Sequence, residues 1–279
     1  MNPPLVSLVV STYNEAKNIG SLLNSCLNQT YKNTEIIVVD SLRTTDKTAA
    51  IAQKYKVKVF VNGTERSEQR DFGVRNATGK YTLILDADMK LDPNVVSACV
   101  TVVTQNPDIK SVVIPEKSFG ENYWAKCKAL ERNCYINDPS IEAARFFDRK
   151  QFLKLGGYDP KMISGEDWDL HRRFKEVGKI GRINKFIFHN EDQINLWRDV
   201  KKKFYYSQKS DHYLTHNITS VRDIILFIFR PAYFRNWNIL LSDPVHLPGF
   251  MLMKLMELFM GGLVIVQKPV FWKSFLKKQ

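Results

Sequence analysis

The stretch "LVSLVVSTYNEAKN", Leu5 to Asn18, opens as a continuous apolar and β-branched run and closes on a polar turn. A strand with one wet face alternates polar and apolar residues. A run without that alternation belongs to a strand buried on both faces, as in a parallel sheet covered by helices. The turn "STYNEAKN" carries no G-x-G-x-x-G, so a dinucleotide is not held there on a glycine-rich turn. The chain also lacks G-x-x-x-x-G-K-[ST], which removes P-loop phosphoryl transfer.

Outward from this run the signals alternate. "EAKNIGSLLNSCLNQ" has helical spacing, "EIIVVD" is a second buried strand, and "TTDKTAAIAQKY" is a helix with Thr44 or Thr45 as its cap. "VKVFV", the helix "SEQRDFGVRNA" and the strand "YTLILD" follow, then "MKLDP", the helix "NVVSACVTVVTQ" and the strand "IKSVVIP". This β-α-β order predicts an α/β fold with a mostly parallel, doubly wound sheet and helices on both faces. From about Phe119 the reading is helix "FGENYWAKCKALERNCYIN", strand "AARFFD", helices "RKQFLKLGG" and "GEDWDLHRRFKEVG", and a last strand-like segment "KIGRINKFIFH". Beyond Gln193 the chain reads as helical, basic and aromatic. The expected division is residues 1–192, with halves at about 1–115 and 116–192, and a C-terminal region 193–279.

With 279 residues, 44% hydrophobic and 25% charged, the chain can bury a substantial core. Its formal net charge of +12 implies anionic partners: nucleic acid, a phosphate-bearing substrate or an acidic membrane surface. Cys26, Cys99, Cys127 and Cys134 form no C-x-x-C pair and read as reduced, buried thiols. "MNPPLVSLVV" has no basic n-region, so a cytoplasmic protein is expected. "PGFMLMKLMELFMGGLVIVQ", Pro248 to Gln267, is interrupted by Lys254 and Glu257, which sit three apart and can pair on one helical face. It reads as an interfacial helix rather than a span.

Three acidic clusters fall at or near strand ends, where open parallel sheets bind ligands. Asp40 closes "EIIVVD", Asp86 and Asp88 close "YTLILDAD", and Glu166, Asp167 and Asp169 precede or open a helix. If the strand persists, alternation places Asp86 and Asp88 on one side, where they repel unless a cation lies between them. Mn²⁺ or Mg²⁺ holding a diphosphate meets that need. Each cluster alone can also be a turn or a helix cap. Without glycine-rich nests, phosphates must be met by metal and side chains, and Arg66 and Arg70 on the preceding helix suit that task.

Taken together, "VSLVVSTYNEAKNI", "IIVVDSLRTTDKT", "ERSEQRDFGVRNATGKYTLILDADM", "AARFFDRKQFLKLGGYD" and "GEDWDLHRRFKEVG" resemble the family 2 glycosyltransferases, in order and over roughly residues 5 to 190. The resemblance implies the nucleotide-sugar-binding GT-A fold and an inverting transfer from a nucleoside-diphosphate sugar. It implies that Thr12, Tyr13 and Glu15 line the nucleoside pocket, that Asp40 accepts a hydrogen bond from the base, and that Asp86 contacts the ribose or a metal-bound water. Asp88 would ligate the metal, with His189 as a further metal or diphosphate contact. Asp167 would be the general base, with Glu166 as the alternative. The family usually places small residues after the strand-2 aspartate, as in D-x-S-x-D, whereas "DSLRTTD" places Leu42 and Arg43 there. No Q-x-x-R-W follows "GED", which speaks against a processive synthase.

Trp124, Asp138, Glu142 and Arg145 are acceptor-side candidates, and Lys203 could meet a phosphate of donor or lipid acceptor. The basic-aromatic tail, with Phe227, Phe229, Tyr233, Phe234 and Trp237, reads as a peripheral anchor on the cytosolic face of an anionic membrane. The expected acceptor is lipid-linked or a saccharide. Nucleic-acid binding shares the charge but none of the standard reading modules is present. A nucleotidyltransferase or phosphohydrolase could use the same Asp-x-Asp carboxylates.

Overall fold

The computed structural model describes residues 2–159, 162, 165–201 and 230–267. They fall into two compact units. The first comprises Met1–Lys117, Pro139–Pro160 and Glu166–Asn190, and the second Ser118–Asp138, Lys161–Gly165 and Glu191–Gln279.

The first unit is built on β1 (Val6–Thr12), α1 (Ile19–Leu27), β2 (Thr34–Asp40), α2 (Thr48–Ala52), β3 (Lys58–Val61), α3 (Arg66–Asn76) and β4 (Tyr81–Asp86). It continues with β5 (Met89–Leu91), α4 (Val95–Gln105) and β6 (Ile109–Val113), and β7 (Glu116–Phe119) carries the chain out of it. It resumes with β8 (Ala144–Asp148), α6 (Arg149–Lys154), α7 (Glu166–Val177), β9 (Lys179–Arg182) and β10 (Ile187–Asn190). The central sheet has seven strands in the order β3-β2-β1-β4-β8-β6-β9. β1 is parallel to β2 and β4, β2 to β3, and β6 to β9, while β8 runs antiparallel to both β4 and β6.

Every residue of β1 is buried, as its unbroken apolar run requires. Val6, Leu8 and Val10 join Leu22, Leu23, Val96 and Val100 of α1 and α4 on one face. Val9 joins Ile84, Phe147, Phe152, Leu170 and Phe174 on the other. Gly73 lets α3 approach the sheet, since a Cβ there would lie 2.3 Å from Cγ1 of Val9.

The second unit holds α5 (Tyr123–Asn133), α8 (Pro231–Arg235), α9 (Trp237–Leu241) and α10 (Leu247–Gln267). Cys127 and Leu130 of α5 pack with Phe250 and Met253 of α10. Beside them lies an ionic group: Lys128 Nζ meets Glu131 at 2.6 Å, Lys254 Nζ meets Glu257 at 2.7 Å, and Lys254 also pairs with Glu131. Burial pulls Lys254 down to about 8, with the Glu131 carboxylate opposing that fall.

The sheet is mostly parallel, as expected, with β8 antiparallel to both its neighbours. Other expectations need correction. "KIGRINKFIFH" is two strands, and β10 pairs antiparallel with a strand not anticipated, β5. Neither Thr44 nor Thr45 caps α2. Thr44 donates to Asp40 at 2.7 Å, and the Thr45 N–H and hydroxyl both reach Asn14. The second unit takes in Ser118–Asp138 as well as Glu191–Gln279, because the apolar side of α5 is covered by α10. All four cysteines are buried free thiols. Among the described residues, no helix is long and apolar enough to cross a membrane.

Candidate active site

The parallel register brings the expected residues to one edge of the sheet. Thr12 stands opposite Asp40, and Ser11 opposite Asp86, at the carboxyl ends of β1, β2 and β4. Thr12 is buried and donates its hydroxyl to Asp40 at 2.6 Å. Tyr13, the next residue, leaves its ring 53% exposed. Glu15 sits at the entry to α1, where its carboxylate accepts from Asn18 at 2.8 Å and its backbone N–H donates to the Thr48 hydroxyl.

The centre of the site is a cluster of guanidinium and carboxylate groups. Arg70 projects from α3 and is fully buried. Its Nη2 donates to Asp86 at 2.7 Å, and its Nη1 donates to Asp167 at 2.9 Å and lies 3.5 Å from Glu166. The Tyr158 ring lies against this guanidinium, 5.4 Å from centroid to Cζ. Arg66, one turn earlier and half exposed, donates to Glu166 at 2.8 Å. Arg145 on β8 pairs with Glu116 and places its Nη1 3.4 Å from the other oxygen of Asp86.

This arrangement fixes the charge states. Burial alone would raise the Asp86 carboxyl, but Arg70, Arg145 and Arg66 outweigh it and hold Asp86 well below the usual carboxylate range. Asp167 behaves alike: burial raises it, the same arginines lower it further, and it stays ionised at neutral pH. Of the two candidate bases, Glu166 is almost fully covered, with a side chain 4% exposed, whereas Asp167 is 28% exposed.

The Asp-x-Asp motif divides. β4 ends at Asp86 and the chain turns at Ala87 and Asp88, so strand alternation does not carry through. Asp86 faces Arg70 and Arg145. Asp88 lies against His189 of β10, Oδ2 to Nε2 at 3.3 Å, and its carbonyl accepts from the Asn190 N–H at 2.8 Å. One carboxylate and one imidazole so placed suit a divalent ion whose remaining ligands are diphosphate oxygens and water. Among the described residues, no three His, Cys, Asp or Glu side chains converge to hold a metal without such a ligand.

The acceptor-side candidates scatter. Arg145 belongs to the central cluster, and Glu142 pairs with Arg182 of β9. In the second unit, Trp124 packs on the α5–α10 core and Asp138 is buried in an ion pair with Arg235 at 2.6 Å. Lys203, with the whole of 202–229, lies outside the described residues. Sequence reasoning missed Glu116 and Tyr158, and it gave Arg145 another task. The antiparallel course of β8, which sets residue 145 beside β4, is invisible in a run that reads as one more buried strand.

Residues 7–159 match the family model described as glycosyl transferase family 2. The chain is 27% identical to a protein named "uncharacterized glycosyltransferase" from Haemophilus influenzae, over 60% of this chain and 60% of that protein's length. Its structure is similar to that of TarS from S. aureus in complex with UDP, with a TM-score of 0.57, 15% identity, and coverage of 98% of this chain and 92% of that one. It is also similar to the mannosyltransferase PcManGT from Pyrobaculum calidifontis in complex with GDP-Man and Mn²⁺, with a TM-score of 0.58, 16% identity, and coverage of 99% and 84%. At that identity the two structures speak for the fold, a GT-A arrangement of mostly parallel sheet and flanking helices. The family match covers more than half of the chain and includes the strand ends that carry Asp40, Asp86 and Asp88, so the protein belongs to glycosyl transferase family 2 and is a glycosyltransferase.

Proposed function

We propose that the protein transfers a sugar from a nucleoside-diphosphate sugar to a hydroxyl or phosphate of a lipid-linked or saccharide acceptor, with inversion at the anomeric carbon, in the synthesis of a cell-surface glycan or glycolipid. The observation that carries this reading is the convergence of Asp40, Asp86 and Asp167 at the carboxyl edge of one sheet, beside the Asp88–His189 pair. The ligands of the structural neighbours, UDP in one and GDP-Man with Mn²⁺ in another, support a nucleotide-sugar donor.

Thr12, Tyr13, Glu15 and Asp40 would bind the nucleoside, and Asp86 the ribose. Asp88 and His189 would hold Mn²⁺ or Mg²⁺, which when bound offsets the charge of the departing diphosphate. Arg66, half exposed, can reach the same phosphates. Asp167 takes the proton of the acceptor hydroxyl as its oxygen bonds to the anomeric carbon and the bond to the diphosphate breaks. Glu166, saturated by Arg66 and Arg70, holds the arginines in place.

The C-terminal region supports action at an anionic membrane surface on its cytosolic side. α10 is amphipathic in the inverse sense: Lys254 and Glu257 turn inward to pair with each other and with α5, while Met251, Leu252, Leu255, Leu258 and Phe259 are exposed. These five fall within an arc of about 120° at 100° per residue. An apolar face and a net charge of +12 supply the two signals that peripheral binding needs.

A thermal-shift series with UDP, GDP and dTDP, with and without Mn²⁺ and with Asp88→Asn as control, tests the donor site. Ligand at about 100 times its Kd adds about 2.7 kcal/mol, a rise of several degrees in Tm. The rise is expected to need Mn²⁺ in the native protein and to shrink in Asp88→Asn. No stabilisation by any of the three under either metal condition overturns the reading.

A further inference from the structure

Arg145 reaches the site from β8, beside β4, and its guanidinium is divided between two acids. Its Nε donates to the carboxylate of Glu116, at the start of β7, while its Nη1 lies 3.4 Å from Oδ2 of Asp86. A charge-assisted N–H···O bond closes to about 2.7–2.9 Å. At 3.4 Å this pair attracts without bonding, and the buried Nη1 makes no hydrogen bond among the described residues. The other oxygen of Asp86 is engaged: Oδ1 accepts from Arg70 at 2.7 Å and from the Ser11 hydroxyl at 3.3 Å. One oxygen is taken, and the other faces a cation held just out of reach. Glu116 is anchored for that task. The carbonyl of Pro115, the residue before it, accepts the Ile187 N–H at 3.0 Å, which ties the start of β7 to β10.

We infer that Glu116 is a positioning residue: it draws Arg145 away from Asp86 and so keeps Oδ2 of Asp86 able to accept a hydroxyl of the donor. This rests on the proposed reading of Asp86 as the ribose contact. Glu116 acts only through Arg145. A buried guanidinium that loses one partner is driven toward the nearest remaining carboxylate, because leaving it uncompensated is costly. Without Glu116 that carboxylate is Asp86, and a shift of about half an ångström closes the bond. Both oxygens of Asp86 are then occupied by guanidinium. A donor hydroxyl must displace a charge-assisted bond, about twice as strong as a neutral one, before it can be accepted. Arg70 does not behave this way, since its Nη1 faces Asp167 and Glu166 and no single loss redirects it. An ion pair that served the fold alone would show no such competition: removing Arg145 after Glu116 would bring nothing back.

Equilibrium binding of UDP, GDP and dTDP to the 279-residue chain, each with Mn²⁺, tests this. Glu116→Ala should weaken the nucleotide that binds best by about tenfold, the loss of one hydrogen bond to a charged group. Glu116→Gln keeps an acceptor for Nε without the charge and should lose a smaller part of the affinity; it carries the test if the alanine variant does not fold. The deciding measurement is a second-site change. Adding Arg145→Met to either variant removes the competing cation and should restore most of the lost affinity. A double variant that binds no better than its Glu116 parent, or native affinity in Glu116→Ala, overturns the inference. Asp86→Asn, which removes the carboxylate itself, keeps the two readings apart: weaker binding in that variant leaves the donor site standing whatever Glu116 does. Failure of all three nucleotides to bind the native chain, or native affinity in Asp86→Asn, overturns the reading of Asp86 and the inference together.

Discussion

Arg70 shows how much one side chain can organise. A guanidinium buried without counter-ions is prohibitively costly, so the three carboxylates around it are required by its burial as much as by catalysis. Among them Asp167 is the most exposed, 28% against 16% for Asp86 and 4% for Glu166, which supports its proposed part in the proton transfer. Asp167→Asn is therefore expected to lower kcat by about 10²–10⁴ with donor affinity retained; steady-state kinetics checks this, and an equal loss in Glu166→Gln alone would reassign the base. A second titratable residue serves the fold. His171 of α7 accepts the Ala144 N–H on Nδ1 at 3.1 Å, so that nitrogen carries no proton. Burial, and secondarily Lys175, pulls the ring down to about 4. The unfolded chain then binds more protons than the folded one between about pH 6.5 and 4, so this residue makes stability fall as the pH drops through that window. Tm measured across it should decline in the native protein and decline less in His171→Gln.

At the scale of elements, the first four strands were legible because each is a continuous apolar run ended by a turn or an acid, and burial on both faces leaves no other pattern. α3 was legible for the opposite reason. Its polar sequence hides a buried Arg70, Gln69 and Gly73 on the side that meets the sheet. Replacing Gly73 with alanine drives a methyl into Val9 and should cost about 1–3 kcal/mol, seen as a Tm lower by several degrees in a thermal melt. The direction of β8 was not legible, since strand residues look the same running either way, and with it went the role of Arg145. Asp88 was read as sharing a site with Asp86 by strand alternation. The turn at Ala87 broke that alternation, and only the distant His189 on β10 shows where Asp88 belongs.

At the scale of the molecule, charge and apolar exposure suggest where the enzyme works. Leu255 and Phe259 are 64% and 69% exposed on a helix whose charged residues point inward. Flotation with anionic vesicles should carry the 279-residue chain upward at low salt and less of it at high salt, as screening shortens the reach of its net charge. Leu255→Glu with Phe259→Glu should leave it at the bottom with an unchanged melting temperature; flotation of this double variant equal to the native protein would count against the membrane face. The interleaving of the two units has a further outcome for synthesis and for truncation. Ser118–Asp138 interrupts the first unit, and the covering helix of that insertion comes last. During translation the seven-stranded sheet cannot close until β9, ending at Arg182, has left the ribosome, and the apolar side of α5 waits uncovered until α10 is made. A shortened chain ending near residue 192 would keep every catalytic candidate yet expose Cys127 and Leu130 permanently, so loss of such a chain to aggregation would report on that uncovered helix and not on the chemistry.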